Sequence, residues 1–251
     1  MPLTDNAYGL AKTQSALLAM LKEIDRVCRL RGIAYSLYAG TMLGAVREGG
    51  FIPWDDDLDL VFTADALHAF IKAFPSDSTA FQLALSDTWV VRVVSREPVQ
   101  GMLPFVDLFH YEPASADAAK RARKLLLLRL LQGMLKENIR YSAYPFKSRV
   151  LVWSTHMLGL PFSKAQKLRW YRKTARDFAR GDGTQLHIPD DCFAGIRHLY
   201  PAACAESFHD ILFEGETVRV SDQAAQMLEI KYGKQYMTPP PVSERKPSHG
   251  R

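Results

Sequence analysis

The run Trp54-Asp55-Asp56-Asp57-Leu58-Asp59-Leu60-Val61-Phe62 constrains the fold more than any other stretch of the chain. Four carboxylates fall within five residues and lead directly into an apolar segment. The second half of the run alternates as a strand does. Asp57 and Asp59 leave one face, while Leu58 and Leu60 point the other way into a core. Two carboxylates held that close repel each other unless a cation lies between them. Hard divalent ions with oxygen ligands, Mg²⁺ above all or Mn²⁺, meet that need and bridge to substrate phosphates. A polar strand edge facing water explains one aspartate, but not four beside Trp54 and Leu60-Val61-Phe62.

Two other stretches have matching chemistry. Gly40-Thr41 falls where a short strand, Ile33 to Tyr38, passes into a helix that Thr41 can cap and that runs to about Arg47. Glycine there lets a phosphate approach the backbone, and N–H groups at a helix start favour an anion. Arg47, one to two turns on, has a guanidinium suited to a phosphate fork. Asp107, alternating between Val106 and Leu108, supplies a third carboxylate. Three carboxylates on neighbouring strands can hold a metal and also orient or deprotonate a nucleophile.

The rest of the chain supports an ordinary globular core. Of 251 residues, 47% are hydrophobic and 24% charged, which excludes disorder, collagen and coiled coil. The longest apolar run, 150–162, is 13 residues, short of the roughly 20 a membrane span needs. The stretch MPLTDNAYGLAK lacks a signal-peptide pattern, and three scattered cysteines do not form a disulfide framework. The expected location is therefore the cytoplasm. Cys192, His198, Cys204 and His209 lack the close pairs of a zinc site. Helices are expected over 11–31, 65–74, 118–136, from Ser163 to Gly181, and over 222–232. Strands are expected over 81–85, 89–94 and 102–109, and a hairpin around Glu214-Gly215-Glu216.

Charge is unevenly distributed. Residues 118–180 hold 16 Lys and Arg against two acids, Glu137 and Asp177, a net +14 within a chain of net +5. Such a block forms either solvated helix faces or a surface for anions: phosphate-bearing substrates, an anionic membrane or nucleic acid.

The runs Ala39-Gly40-Thr41-Met42-Leu43-Gly44-Ala45-Val46-Arg47 and Gly50-Phe51-Ile52-Pro53-Trp54 through Leu60 resemble the signature of the LicD family, which includes the fukutin-type proteins, within the nucleotidyltransferase-fold superfamily. Phe105-Val106-Asp107-Leu108-Phe109 is similar to the family's third-carboxylate strand. Phe213-Glu214-Gly215, with Lys231-Tyr232-Gly233 through Pro240, resembles its C-terminal pattern. The chain departs from the family at Ala39, often a second glycine, and at Glu48-Gly49, often basic. It also lacks prolines after the Phe-Glu-Gly. These departures bear on donor specificity.

The resemblance implies an α+β fold, a nucleotidyltransferase-like mixed sheet flanked by helices. One domain over 1–240 would include a basic helical insertion at about 114–185, with a flexible tail over 241–251. Asp57 and Asp59 take the metal-binding positions, Asp107 the third carboxylate, and Gly40 and Thr41 the phosphate turn. The implied activity moves a phosphorylated alcohol, such as phosphocholine, from a CDP-linked donor onto a cell-surface glycan such as lipopolysaccharide, or a lipid-linked saccharide. Two other functions fit the residues: transfer of NMP onto a small molecule or protein, and non-catalytic binding of anions or membrane. Peripheral contact with an anionic membrane, on its inner face, is expected through 118–180; nucleic acid is not an expected partner.

Overall fold

The computed structural model describes residues 8–75, 78–137, 139, 141 and 145–247, apart from the side chain of Lys147. Residues 1–7, the last four residues of the expected tail and Arg140 of the basic block lie outside the described residues. The described residues group into two compact units. The first runs through residue 84, over 90–111 and from 200 onward; the second comprises 85–89 and 112–199.

The first unit has a mixed sheet and the α+β character expected from the sequence. Helix α1 (Ala11–Arg31) buries Leu17, Met20, Leu21, Ile24, Val27 and Cys28, the stripe that three-and-four spacing dictates. Strand β1 (Ser36–Leu37) is shorter than the expected 33–38. The N–H of Ile33 closes α1 on the Cys28 carbonyl at 2.8 Å, and Tyr38 already caps the next helix, α2 (Ala39–Arg47). Thr41 therefore lies inside the first turn of α2 and does not cap it. Strand β2 (Asp59–Thr63) leads directly into α3 (Ala64–Ala73), whose cap is Thr63, accepting the Ala66 N–H at 3.2 Å.

Strands β3 (Phe81–Ala84), β4 (Val91–Ser95) and β5 (Phe105–Pro113) complete a sheet of order β1-β2-β5-β4-β3. Its central pair, β2 and β5, is parallel, and the other pairings are antiparallel. Strand β5 starts at Phe105 rather than 102, because Met102 and Val99 pair with each other in a tight turn. Further along the first unit are a short strand β7 (Tyr200–Pro201), the hairpin β8 (Phe208–Phe213) and β9 (Glu216–Ser221), and helix α7 (Ala224–Tyr232). Pro241 is followed by a 3-10 turn over Val242–Glu244, and the Arg245 guanidinium stacks over Trp54 at 5.0 Å.

The second unit contains the basic helices α4 (Ala118–Leu135), α5 (Phe146–Gly159) and α6 (Lys164–Arg176). Strand β6 (Gln185–His187) pairs with the end of β5 at Glu112 and Pro113. Leu128, Leu131, Met134 and Leu135 of α4 pack on Leu168, Tyr171 and Ala175 of α6 and on Ile196. Ser163 closes a capping box with Gln166 at the start of α6. Helix α5 has no expected counterpart. Its sequence is apolar on nearly every side, which erases the periodicity that reveals a helix.

Candidate active site

Asp59 and Asp107 lie directly opposite each other on the parallel strands β2 and β5. On the other side of β5, Arg92 of β4 is paired with Asp107 in register. Three side chains from three adjacent strands thus stand in one row on one face of the sheet. The Arg92 guanidinium grips Asp107 with two contacts, Nε to Oδ1 at 2.6 Å and Nη2 to Oδ2 at 3.3 Å. It also stacks over the Phe105 ring at 3.9 Å, which fixes its plane.

The alternation expected at the Asp run holds in burial. Leu58 and Leu60 are both fully buried, while Asp57 and Asp59 are partly exposed. The regular strand begins only at Asp59. Both polar groups of the Asp59 backbone are bonded on the side of β1 and α2. Its N–H donates to Thr41 Oγ1 at 2.9 Å and its carbonyl accepts from the Tyr38 N–H at 2.9 Å. Next to it, the Leu58 carbonyl accepts from the Asp107 N–H at 2.9 Å.

Charge crowding is the main electrostatic feature of the site. Burial, then the charges of Asp57 and Asp107, push Asp59 well above the usual carboxylate range, and the Lys231 ammonium acts in the opposite direction. Burial, then the charge of Asp57 and a hydrogen bond to it, likewise push Asp55 upward. These carboxyl groups are held together at an energetic cost that a cation would offset. An all-oxygen, carboxylate donor set is the kind that Mg²⁺ or Mn²⁺ takes, so the residues present fit such an ion. Among the described residues, no three His, Cys, Asp or Glu side chains are already drawn into a closed cage. Asp57 and Asp59 could hold such an ion, while Asp107 is paired with Arg92.

The loop that carries Asp55 and Asp57 is anchored by residues with no motif of their own. Gln14 of α1 donates through Nε2 to the Asp55 carbonyl at 2.9 Å and to that of Ile52 at 3.2 Å. Glu214, at the tip of the β8–β9 hairpin, accepts the Phe51 N–H at 2.9 Å and donates its own N–H to Gly49. A Cβ at Gly50 would collide with the Glu214 carboxylate where it accepts the Phe51 N–H, so glycine permits this approach. Phe213 packs edge-on against Phe51 with ring centroids 4.8 Å apart. The Phe-Glu-Gly stretch therefore supports the acidic loop structurally.

The other expected site residues divide into two places. Gly40 faces the acidic cluster: a Cβ there would come within 2.6 Å of Asp55 Oδ2. Thr41 is buried and its hydroxyl positions Asp59. Arg47 lies at the opposite end of α2, about 10 Å along the axis from Gly40 at 1.5 Å per residue. Its Nε pairs with Glu48 at 2.7 Å and its Nη1 donates to the Tyr236 carbonyl at 3.3 Å. Its Nη2 is buried with no hydrogen-bond partner among the described residues.

Arg92, Gln14 and Lys231 were not legible as site residues in the sequence. Lys231 Nζ donates to Tyr38 Oη at 3.1 Å and lies 4.5 Å from the ring centre, which brings α7 to the start of α2. For Arg92 a signal existed: a lone cation within Val90-Val91-Arg92-Val93-Val94 needs a buried partner.

The LicD/FKTN/FKRP nucleotidyltransferase domain matches residues 32–121. Over 267 aligned positions the chain is 26% identical to the lipopolysaccharide cholinephosphotransferase LicD of Haemophilus influenzae, with 96% of each chain covered. An uncharacterized protein of Rickettsia prowazekii is 38% identical over 58 residues, 23% of this chain and 22% of that one. The domain match takes in both strands of the parallel pair and the helix beside them, and the full-length similarity extends it to the supporting hairpin and α7. Over residues 32–121 this chain carries a LicD-type nucleotidyltransferase domain.

Proposed function

We propose that this protein is a metal-dependent phosphotransferase that moves a phosphorylated alcohol, of the phosphocholine kind, from a CDP-linked donor onto a glycan or lipid-linked saccharide of the lipopolysaccharide type. The observation that carries this reading is the Arg92–Asp107–Asp59 row beside the crowded carboxylates. A hydroxyl oxygen of the acceptor forms a new bond to the distal phosphorus. The anhydride bond breaks, and CMP leaves with the bonding electron pair. The hydroxyl proton passes to a carboxylate, for which Asp107, oriented by Arg92, is the candidate. A divalent ion bound by Asp57 and Asp59 would neutralise the donor's diphosphate charge. Gly40 at the start of α2, beside Asp55 of the acidic loop, is the proposed phosphate turn, and Arg47 supplies a guanidinium further along the same helix.

Purified protein incubated with Mg²⁺, lipopolysaccharide and, in turn, CDP-choline, CDP-ribitol and CDP-glycerol tests the reading. The expected result is acceptor-dependent CMP release from one donor. Release of pyrophosphate from a nucleoside triphosphate instead would identify the NMP-transferring alternative, which uses the same carboxylates. No turnover in any arm would overturn both.

The acceptor's lipid would place the reaction at a bilayer surface, and features of the second unit suit such a contact. No described helix is long and apolar enough to cross a membrane. Helix α5 and the residues after it nevertheless expose Phe146, Trp153, Leu158 and Leu160. Beside them a largely apolar cavity of about 440 Å³, lined by Leu126, Leu130, Leu151 and Val152, has Arg129 and Lys136 on its wall. Basic residues next to apolar ones favour an anionic leaflet by about 1 kcal/mol per charge. Salt-sensitive co-sedimentation with phosphatidylglycerol vesicles, absent with phosphatidylcholine alone, is expected. Indifference to lipid charge would end this part of the proposal.

A further inference from the structure

The second unit contains a cationic cavity of about 50 Å³. That is several times the 10–15 Å³ or so that one water needs. Arg121 and Lys124 of α4, His187 of β6 and Arg197 are on its wall, and no carboxylate is among the lining residues. Lys124 is only 3% exposed. Its Nζ is fully buried and has no hydrogen-bond partner among the described residues. A buried ammonium without a partner is costly, and an apolar side chain of the same length would pack there without that cost. The guanidinium of Arg121 is fixed, since its Nη1 donates to the carbonyls of Ser115 and Ala116, both at 2.7 Å.

We propose that this cavity is a binding site for a phosphate-type anion, held by Arg121 and Arg197 with the buried charge of Lys124 behind them. The lining holds Arg121, Lys124 and Arg197 and no carboxylate, a positive excess that a phosphate anion offsets more fully than a carboxylate or a water. Burial pulls Lys124 down to about 8, and Arg180 acts in the same direction, whereas Glu112 and Asp177 oppose it. An anion in the cavity restores the charged form. The ligand chemistry is a terminal phosphate, free or borne by a sugar or a lipid headgroup. The proposal does not rest on the phosphotransferase reading.

Thermal melting and calorimetry of the full chain with inorganic phosphate, against chloride at equal ionic strength, test the site. Phosphate is expected to raise the melting temperature of the wild type and chloride is not. Lys124→Met is expected to melt at or above the wild type without phosphate and to lose the phosphate shift. Arg197→Gln, at an exposed position, keeps the fold and should weaken phosphate binding about tenfold or more. Glycerol phosphate and a short-chain phosphatidic acid separate the sources: tighter binding of either assigns the site to a sugar or lipid phosphate, and binding of inorganic phosphate alone assigns it to the free ion. An unchanged phosphate shift in both Lys124→Met and Arg197→Gln, or an equal shift with chloride, would overturn the proposal.

Discussion

Asp107 faces Asp59 on one side and Arg92 on the other, in a single row across strands β2, β5 and β4. The arginine sets a positive charge beside the two carboxylates, and its two contacts fix the plane of the Asp107 carboxyl group. The geometry gives the two acids different environments: Asp107 is paired, and Asp59 is crowded. That asymmetry suits a division between a base and a metal ligand.

Asp59→Asn and Asp57→Asn should each reduce turnover by about a hundredfold or more, since metal stabilisation of a diphosphate supplies several kcal/mol. Neither should lower the melting temperature, because each removes a charge from a crowded cluster and leaves Leu58 and Leu60 untouched. Turnover near the wild-type rate at saturating Mg²⁺ would contradict the site.

The Arg92–Asp107 pair is largely shielded from solvent, with side-chain exposures of 24% and 12%. Arg92→Ala should cost about 2 kcal/mol in urea unfolding, because it takes the guanidinium away from a largely buried carboxylate. A double-mutant cycle with Asp107→Asn should then give a coupling of about 1 kcal/mol or more. Additive effects would mean that the pair is incidental.

Gln14 tests whether loop position matters to chemistry. Gln14→Leu keeps the side chain's volume but removes both donors to the Ile52 and Asp55 carbonyls. The expected cost is about 1–3 kcal/mol in stability. If the loop positions Asp57, kcat should fall while KM for the donor changes little, and Gln14→Glu should not restore it. A stability loss with unchanged kcat would make the contact merely structural.

Lys124 makes stability depend on alkaline pH. Its folded pKa is depressed to about 8 from an ordinary 10.5, so the unfolded chain binds the extra proton between those values. The penalty of charging it is fully present below about pH 8 and fades as pH rises to about 10.5. Without phosphate, Lys124→Met should exceed the wild type by at most about 3 kcal/mol at neutral pH, with the gap closing toward pH 10.5. The titratable and charged groups around it are Arg121, His187, Arg197, Glu112, Asp177 and Arg180. Denaturant melts across that range check it, and a gap independent of pH would show that Lys124 is not the titrating group.

Ala39 shows how sequence and structure inform each other. It has φ +47°, a left-handed conformation in which an alanine is strained by about 1–2 kcal/mol and a glycine is not. The turn from β1 into α2 that contains it is held on both sides, by the Tyr38 N–H on the Asp59 carbonyl and by Thr41 on the Asp59 N–H.

Local pattern alone determined α1, the start of α6 at Ser163, the alternation of Leu58 and Leu60 against Asp57 and Asp59, and the strand around Asp107. Each of these is fixed by side-chain spacing along a single element, which is written in adjacent residues. Only the tertiary structure decided that Arg92 neutralises Asp107, that Gln14 and Glu214 hold the acidic loop, that Thr41 secures Asp59 instead of capping a helix, and that Lys124 is buried rather than solvated. Those relationships depend on strand register and on which helix covers which surface. Register and helix packing are set by the closing of the whole core, so residues far apart in the chain meet without any shared motif to announce them.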